Sequence, residues 1–238
     1  MMKSQQPQGE RAGEAFAALR QFARRPPRRV ERCELCGAEL YSEHPHLIEV
    51  AQRKLLCACD ACALLFSGGG GKKYKRVPRD IRLLAGFRMT DAEWDSLLIP
   101  INLAFFFQNS TNSRVSALYP SPAGATESLL PLAAWTQLVE ANSTLGQLEP
   151  DVEALLVNRV GHTRGASPAE YYIVPIDACY KLVGLIRMHW RGLSGGTEVW
   201  QEIGNFFSEL RAKAHVITDH MSTGNVSIER AVTGEPHA

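Results

Sequence analysis

Two Cys-x-x-Cys pairs are the residues of this chain best suited to chemistry. Cys33-Glu34-Leu35-Cys36-Gly37 is followed by Cys59-Asp60-Ala61-Cys62, with 22 residues between Cys36 and Cys59. Each such turn can aim two sulfurs at one point. Two of them joined by a hairpin make a closed tetrahedral site of the kind that holds structural zinc. Gly37 supports this reading, because a residue free to take positive φ eases the chain out of the first turn. Cys33, Cys36, Cys59 and Cys62 are therefore the expected ligands, with Zn²⁺ the expected ion. Iron in the same four sulfurs would instead make a rubredoxin-like one-electron carrier, and four thiolates do not by themselves choose between the two metals.

Three features complicate the ligand set. Ala63 stands where a glycine would be expected after the second turn. Cys57 turns the second pair into Cys-x-Cys-x-x-Cys and could replace Cys59. His44 and His46 lie between the pairs, and a neutral imidazole is a competent zinc ligand. The sixth cysteine, Cys179, shares a helical spacing with Ile176, Tyr180 and Val183, which reads as a small buried apolar residue rather than a reactive thiol.

Elsewhere the chemistry is thin. The proline-rich stretch 119–127 is either a binding surface or a rigid connection. His189 and Arg191 fall near a helix C-terminus, where cationic groups favour the helix dipole. No nucleophile elbow, paired metal-binding histidines or nucleotide fingerprint occurs. The glycine run at residues 68–71 is not followed by Gly-Lys-Ser/Thr, so it reads as a connector and not a phosphate loop.

Positioning these residues requires a small module and a larger body. Residues 1–31 read as a basic, weakly ordered segment, with an amphipathic helix near residues 14–23. Between Met1 and Arg32 there are eight Lys/Arg against three Glu. Residues 32–71 form the metal-binding ribbon-like module, its hairpin strands at 46–50 and 53–56. Residues 72–215 form an α+β body, and 216–238 a flexible tail. In the body, residues 80–84 suggest a strand, and Thr90 with Glu93 fits a helix-starting capping box. Residues 101–107 and 114–119 suggest a hairpin, followed by a helix over 131–141. A second round follows, with strands at 152–160 and 170–174 and a helix over 175–190. Two ββα units would make a largely antiparallel sheet with helices packed on one face. A last helix covers 197–214.

Composition bounds the function. The chain has 238 residues, 45% of them hydrophobic and 21% charged, which is ordinary for a globular protein. The net charge of +1 and the absence of a basic–aromatic stripe argue against nucleic-acid binding. No apolar signal region opens the chain and no segment is long enough to span a membrane. A cytoplasmic location is the default expectation, and clustered cysteines there favour metal over disulfides.

At CELCGAEL, CACDACALLF, YPSPAGATESLLPL, EPDVEALLVNR and LVGLIRMHWRGL the chain resembles the domain of unknown function 5947 family, bacterial proteins often encoded beside nickel–iron hydrogenase genes. The likeness runs from about Arg32 to Ala212. What it implies is a setting: hydrogenase assembly, metallocentre delivery or electron transfer, with a hydrogenase subunit or maturation factor as partner. A non-enzymatic, zinc-binding accessory protein is the leading expectation. A rubredoxin-like electron carrier and an unrecognised enzyme with its site at residues 120–127 are the alternatives.

Overall fold

Central strands that carry apolar side chains on both faces need cover on both sides, and this requirement sets the architecture. A computed structural model describes residues 30–67, 73–128, 132–162, 168–192 and 194–218. The basic segment up to residue 29 with its amphipathic helix, the glycine run 68–71 and the tail beyond 218 lie outside the described residues.

The small sheet comes first. Strands β1 (His46–Glu49) and β2 (Lys54–Cys57) form an antiparallel hairpin, and β3 (Tyr74–Arg76) pairs with β1 on its other side. Between β2 and β3 lies helix α1 (Asp60–Ser67). The hairpin turn places Arg53 at φ +52°, in the left-handed region.

The large sheet has seven strands. Its members are β4 (Arg82–Leu84), β5 (Leu103–Asn109), β6 (Arg114–Ser121), β7 (Gly124–Ser128), β8 (Glu153–Asn158), β9 (Glu170–Pro175) and β10 (His215–Ile217). They lie in the order β10-β4-β9-β8-β5-β6-β7, antiparallel throughout except where β10 runs parallel to β4. The fold is α+β, with mostly antiparallel sheets and a cysteine cluster near the start compatible with a zinc-ribbon-like module.

Helices cover both faces of this sheet, not one as the sequence suggested. In β5 and β8, alternate side chains point to opposite sides, and both sides are apolar. Leu103, Phe105, Ala154, Leu156, Tyr172 and Val174 pack on α4 (Ile176–His189) and α5 (Gly196–Lys213). Ala104, Phe106, Leu155, Val157 and Ile173 pack on the opposite layer of α2 (Asp91–Ser96) and α3 (Leu132–Ala141) through Trp94, Trp135 and Leu138. Helix α2 starts at the expected capping box: Glu93 N–H donates to Thr90 Oγ1 at 3.2 Å, and Thr90 N–H donates to Glu93 Oε2 at 2.6 Å.

The proposed ββα repeat is also modified. The first round is β5-β6-β7-α3, because residues 124–128 form a third strand on the edge of the sheet instead of a connection. Pro120 is tolerated in β6 because it lies beyond the last β5 pair, Phe105–Leu118.

The ribbon sits on the α4–α5 face of the body. Ile48, Val50 and Val77 are buried in the same cluster as Cys179, Leu182 and Phe206. Lys75 Nζ donates to Pro150 O at 3.0 Å and lies 2.8 Å from Asp151 Oδ2, tying β3 to the loop before β8.

Candidate metal centre

The first Cys-x-x-Cys is a tight backbone knuckle. Gly37 N–H donates to Cys33 O at 2.8 Å, and Cys33 N–H donates to Ala38 O at 2.8 Å. Gly37 takes φ +78°, as its place after the turn requires. The second pair is built differently. Cys59 precedes α1, Cys62 lies in its first turn, and Ala63 N–H donates to Cys59 O at 2.8 Å as a helical bond. The turn runs straight into a helix, so no positive-φ residue is needed, which explains alanine at position 63.

These two turns bring Cys33, Cys36, Cys59 and Cys62 together, with all four sulfurs within 4.8 Å of one another. Cys36 Sγ and Cys59 Sγ are 3.7 Å apart. A tetrahedron with metal–sulfur bonds of about 2.3 Å has edges of about 3.8 Å, so that separation fits a tetrathiolate. The group could hold a metal ion.

Electrostatics within the cluster are uneven. Burial works to raise the Cys33 thiol, but it is outweighed by hydrogen bonding from the backbone of Cys59, Cys36 and Leu35 and from the Cys36 side chain. These hold the thiol at about 6. Burial, followed by the neighbouring sulfurs of Cys36, Cys59 and Cys33, pushes the Cys62 thiol up to about 12. One thiolate forms readily in such a group and the last resists, so a divalent ion entering it must displace protons.

The alternative donors do not join this cluster. Cys57 pairs with His46 across the β1–β2 ladder, while the next pair inward is Leu47–Leu56. Leu47 and Leu56 lie in the ribbon core with Cys33 and Cys62. Alternation along the strand therefore turns Cys57 to the other face. There Cys57, His44 and His46 form a separate group, with one potential ligand atom from each within 4.8 Å of the others. Glu34 braces the junction. Its carboxylate accepts from Cys57 N–H at 2.8 Å and from Lys54 Nζ at 3.0 Å.

The remaining candidates have structural partners. Cys179 is fully buried under the body, and burial, with Asp177 adding to it, raises its thiol well above the ordinary value. His189 Nδ1 lies 2.8 Å from Glu198 Oε1, and Arg191 Nη1 donates to the carbonyls of Met188 and Trp190 at the end of α4. Residues 119–122 border a cavity of about 750 Å³ with Ile186, Trp190 and Trp200. Its described lining contains no carboxylate, imidazole, thiol or basic side chain, so it offers apolar surface rather than acid–base chemistry.

Sequence reasoning missed Asp177, whose Oδ2 lies 2.7 Å from His46 Nδ1. The two residues are 131 positions apart, and nothing local to either signals the pairing. No helix among the described residues is long and apolar enough to cross a membrane. Comparison with curated proteins and with solved structures returns no match. The family described as "Family of unknown function (DUF5947)" matches residues 32–214, spanning both Cys-x-x-Cys turns and the whole body through α5. The chain belongs to that family.

Proposed function

We propose that this protein is a zinc-binding accessory protein whose ribbon serves as a docking surface for another protein. One observation carries the reading: the helix that supplies Cys62 also presents large apolar side chains to solvent. Leu64 and Leu65 are 65% and 72% exposed on α1. Adjacent exposed leucines on a metal-braced helix are better suited to burial against a partner than to solvent. The ion's role in this reading is structural. Four thiolates leave no open position, so Cys33, Cys36, Cys59 and Cys62 would hold zinc to stabilise the ribbon and not to activate water. Zinc is proposed over iron because bracing a fold requires no redox change.

The partner class proposed is a nickel–iron hydrogenase subunit or maturation factor, taken from the genomic setting that the family resemblance implies. Deleting the gene is then expected to lower mature hydrogenase activity. Complementation with Leu64→Asp/Leu65→Asp is expected to leave the defect in place although the protein is folded and metal-loaded. Normal hydrogenase assembly in the deletion strain, with the gene expressed in the parent, would remove the partner assignment. Red colour from a ferric tetrathiolate in the purified protein would replace the structural-zinc reading with electron transfer.

A further inference from the structure

We propose that His44, His46 and Cys57 form a second metal site, distinct from the tetrathiolate, that binds a divalent transition-metal ion through three protein ligands. The site lies on the opposite face of the β1–β2 hairpin from the four-sulfur cluster. His46 and Cys57 are direct cross-strand partners, so their side chains emerge side by side on one face. His44 enters from the preceding loop, its ring centroid 4.9 Å from that of His46. One nitrogen of each imidazole and the Cys57 sulfur all lie within 4.8 Å of one another.

The hydrogen bonding around the rings prepares them as ligands. His44 Nδ1 is 2.9 Å from Tyr41 O. A carbonyl can only accept, so Nδ1 carries the proton and Nε2 of the neutral ring keeps its lone pair. That Nε2 is buried with no hydrogen-bond partner, on a side chain only 7% exposed. A buried acceptor without a partner is costly, and a metal ion would satisfy it. His46 repeats the arrangement. Its Nδ1 faces the Asp177 carboxylate at 2.7 Å, which directs Nε2 toward coordination. Metal-bound histidines characteristically donate their second N–H to a carboxylate or a backbone carbonyl, and this site contains one of each.

The donor set suits zinc and its neighbours in the first transition row, which accept imidazole and thiolate together. Ligand–ligand separations around such an ion are about 3.3–3.6 Å, so side-chain movements of about 1 Å would close the group onto it. Unlike the four-sulfur cluster, three ligands leave one coordination position for water or an outside ligand. A groove of about 750 Å³ lined by His44, His46, Asp177 and Lys181 adjoins the site and gives access to it.

Cobalt(II) titration of the full, reduced, metal-stripped chain tests this. The parent is expected to take up about two equivalents, the tetrathiolate giving strong sulfur-to-cobalt bands and the second site weaker ones. Cys57→Ser and His44→Gln should each take up about one equivalent, with the tetrathiolate bands unchanged. Asp177→Asn should retain both sites but weaken the second about 10-fold, as loss of a carboxylate behind a ligating imidazole does. Far-UV circular dichroism of each variant checks folding, and His46→Gln stands in for any variant that fails to fold. Saturation of the parent at about one equivalent with the tetrathiolate bands fully developed, or full uptake by Cys57→Ser and His44→Gln, overturns the proposal. Loss of the tetrathiolate bands in Cys57→Ser also overturns it, by making Cys57 a ligand of the first cluster. Absence of tetrathiolate bands in a parent that still binds cobalt through His44 and Cys57 would instead sink only the four-sulfur reading.

Discussion

The ribbon and the body use the same alternation of side chains along strands but are held together by different means. In the body, both parities of β5 and β8 meet apolar layers, and large side chains such as Phe105, Phe106 and Tyr172 are fully buried. In the ribbon, the buried core is two leucines, two alanines and two of the cysteines. That is too little apolar area to hold a three-stranded sheet, which is the circumstance in which small modules rely on a metal. The comparison teaches that a metal held by the cysteines, as proposed, would take the place of a core. It also shows where the ribbon borrows one: Ile48, Val50 and Val77 are buried against the body.

Metal removal should separate the two regions most strongly. Structural zinc contributes roughly 10–16 kcal/mol of apparent folding free energy in small finger domains. Chelation, or Cys62→Ser, is therefore expected to abolish hydrogen-exchange protection in β1 and β2 while β8 and β9 stay protected. Equal loss in both would show that ribbon and body fold as one unit. The sign of the pH dependence follows from the thiols. Because the metal-free Cys62 thiol sits at about 12, ion entry must expel its proton, so metal affinity should fall as the solution is acidified. Chelator competition across a pH series measures this.

Next in size is a core truncation in the body. Phe106 is fully buried and stacks on Trp135 with ring centroids 5.6 Å apart. Phe106→Ala should cost about 3–5 kcal/mol in denaturant unfolding, with metal content unchanged. Loss of metal in this variant would mean that the ribbon depends on the body for its geometry.

A smaller effect is expected at the joint between the regions. Burial tends to raise the Asp151 carboxyl, but hydrogen bonds from Lys75 and Ser110, with the charge of Lys75, outweigh it and hold the group low. Asp151→Asn tolerates the left-handed backbone at φ +72° and should cost about 1.5–3 kcal/mol at neutral pH. A depressed carboxyl contributes stability above its unfolded value of about 3.9, and that contribution is lost as pH falls through the folded value. The gap between parent and variant should accordingly close in acid, as unfolding curves over a pH series would show. A pH-independent gap would assign the loss to packing.

The smallest effect on stability belongs to the exposed leucines. Leu64→Asp/Leu65→Asp should shift unfolding by no more than about 0.5 kcal/mol per site, while partner capture is lost. Destabilisation of several times that size would show that these side chains support the ribbon itself.

Local features of the sequence specified much of this. The Cys-x-x-Cys spacing and Gly37 mark the first knuckle, Thr90 and Glu93 mark the start of α2, and the hairpin around residues 50–53 follows from its flanking apolar residues. Each depends on contacts within a few residues, where sequence spacing and spatial distance are nearly the same. The edge strand β7 was harder to read because its residues 124–128 are only half-buried and lack a clear apolar alternation.

Tertiary structure alone decided which donors lie together. The sequence determined that five sulfur and imidazole donors lie close together from His44 to Cys62, but Cys57 and Cys59 are only two residues apart and either fits the spacing. The register Leu47–Leu56 and His46–Cys57 separates them, because neighbouring positions on a strand face opposite sides and the ribbon core occupies only one. The same holds for helices on both faces of the large sheet, which requires knowing that β5 and β8 lie at its centre. It holds most of all for Asp177 beside His46. That contact exists only because α4 docks under the ribbon, a consequence of packing that no short-range pattern encodes.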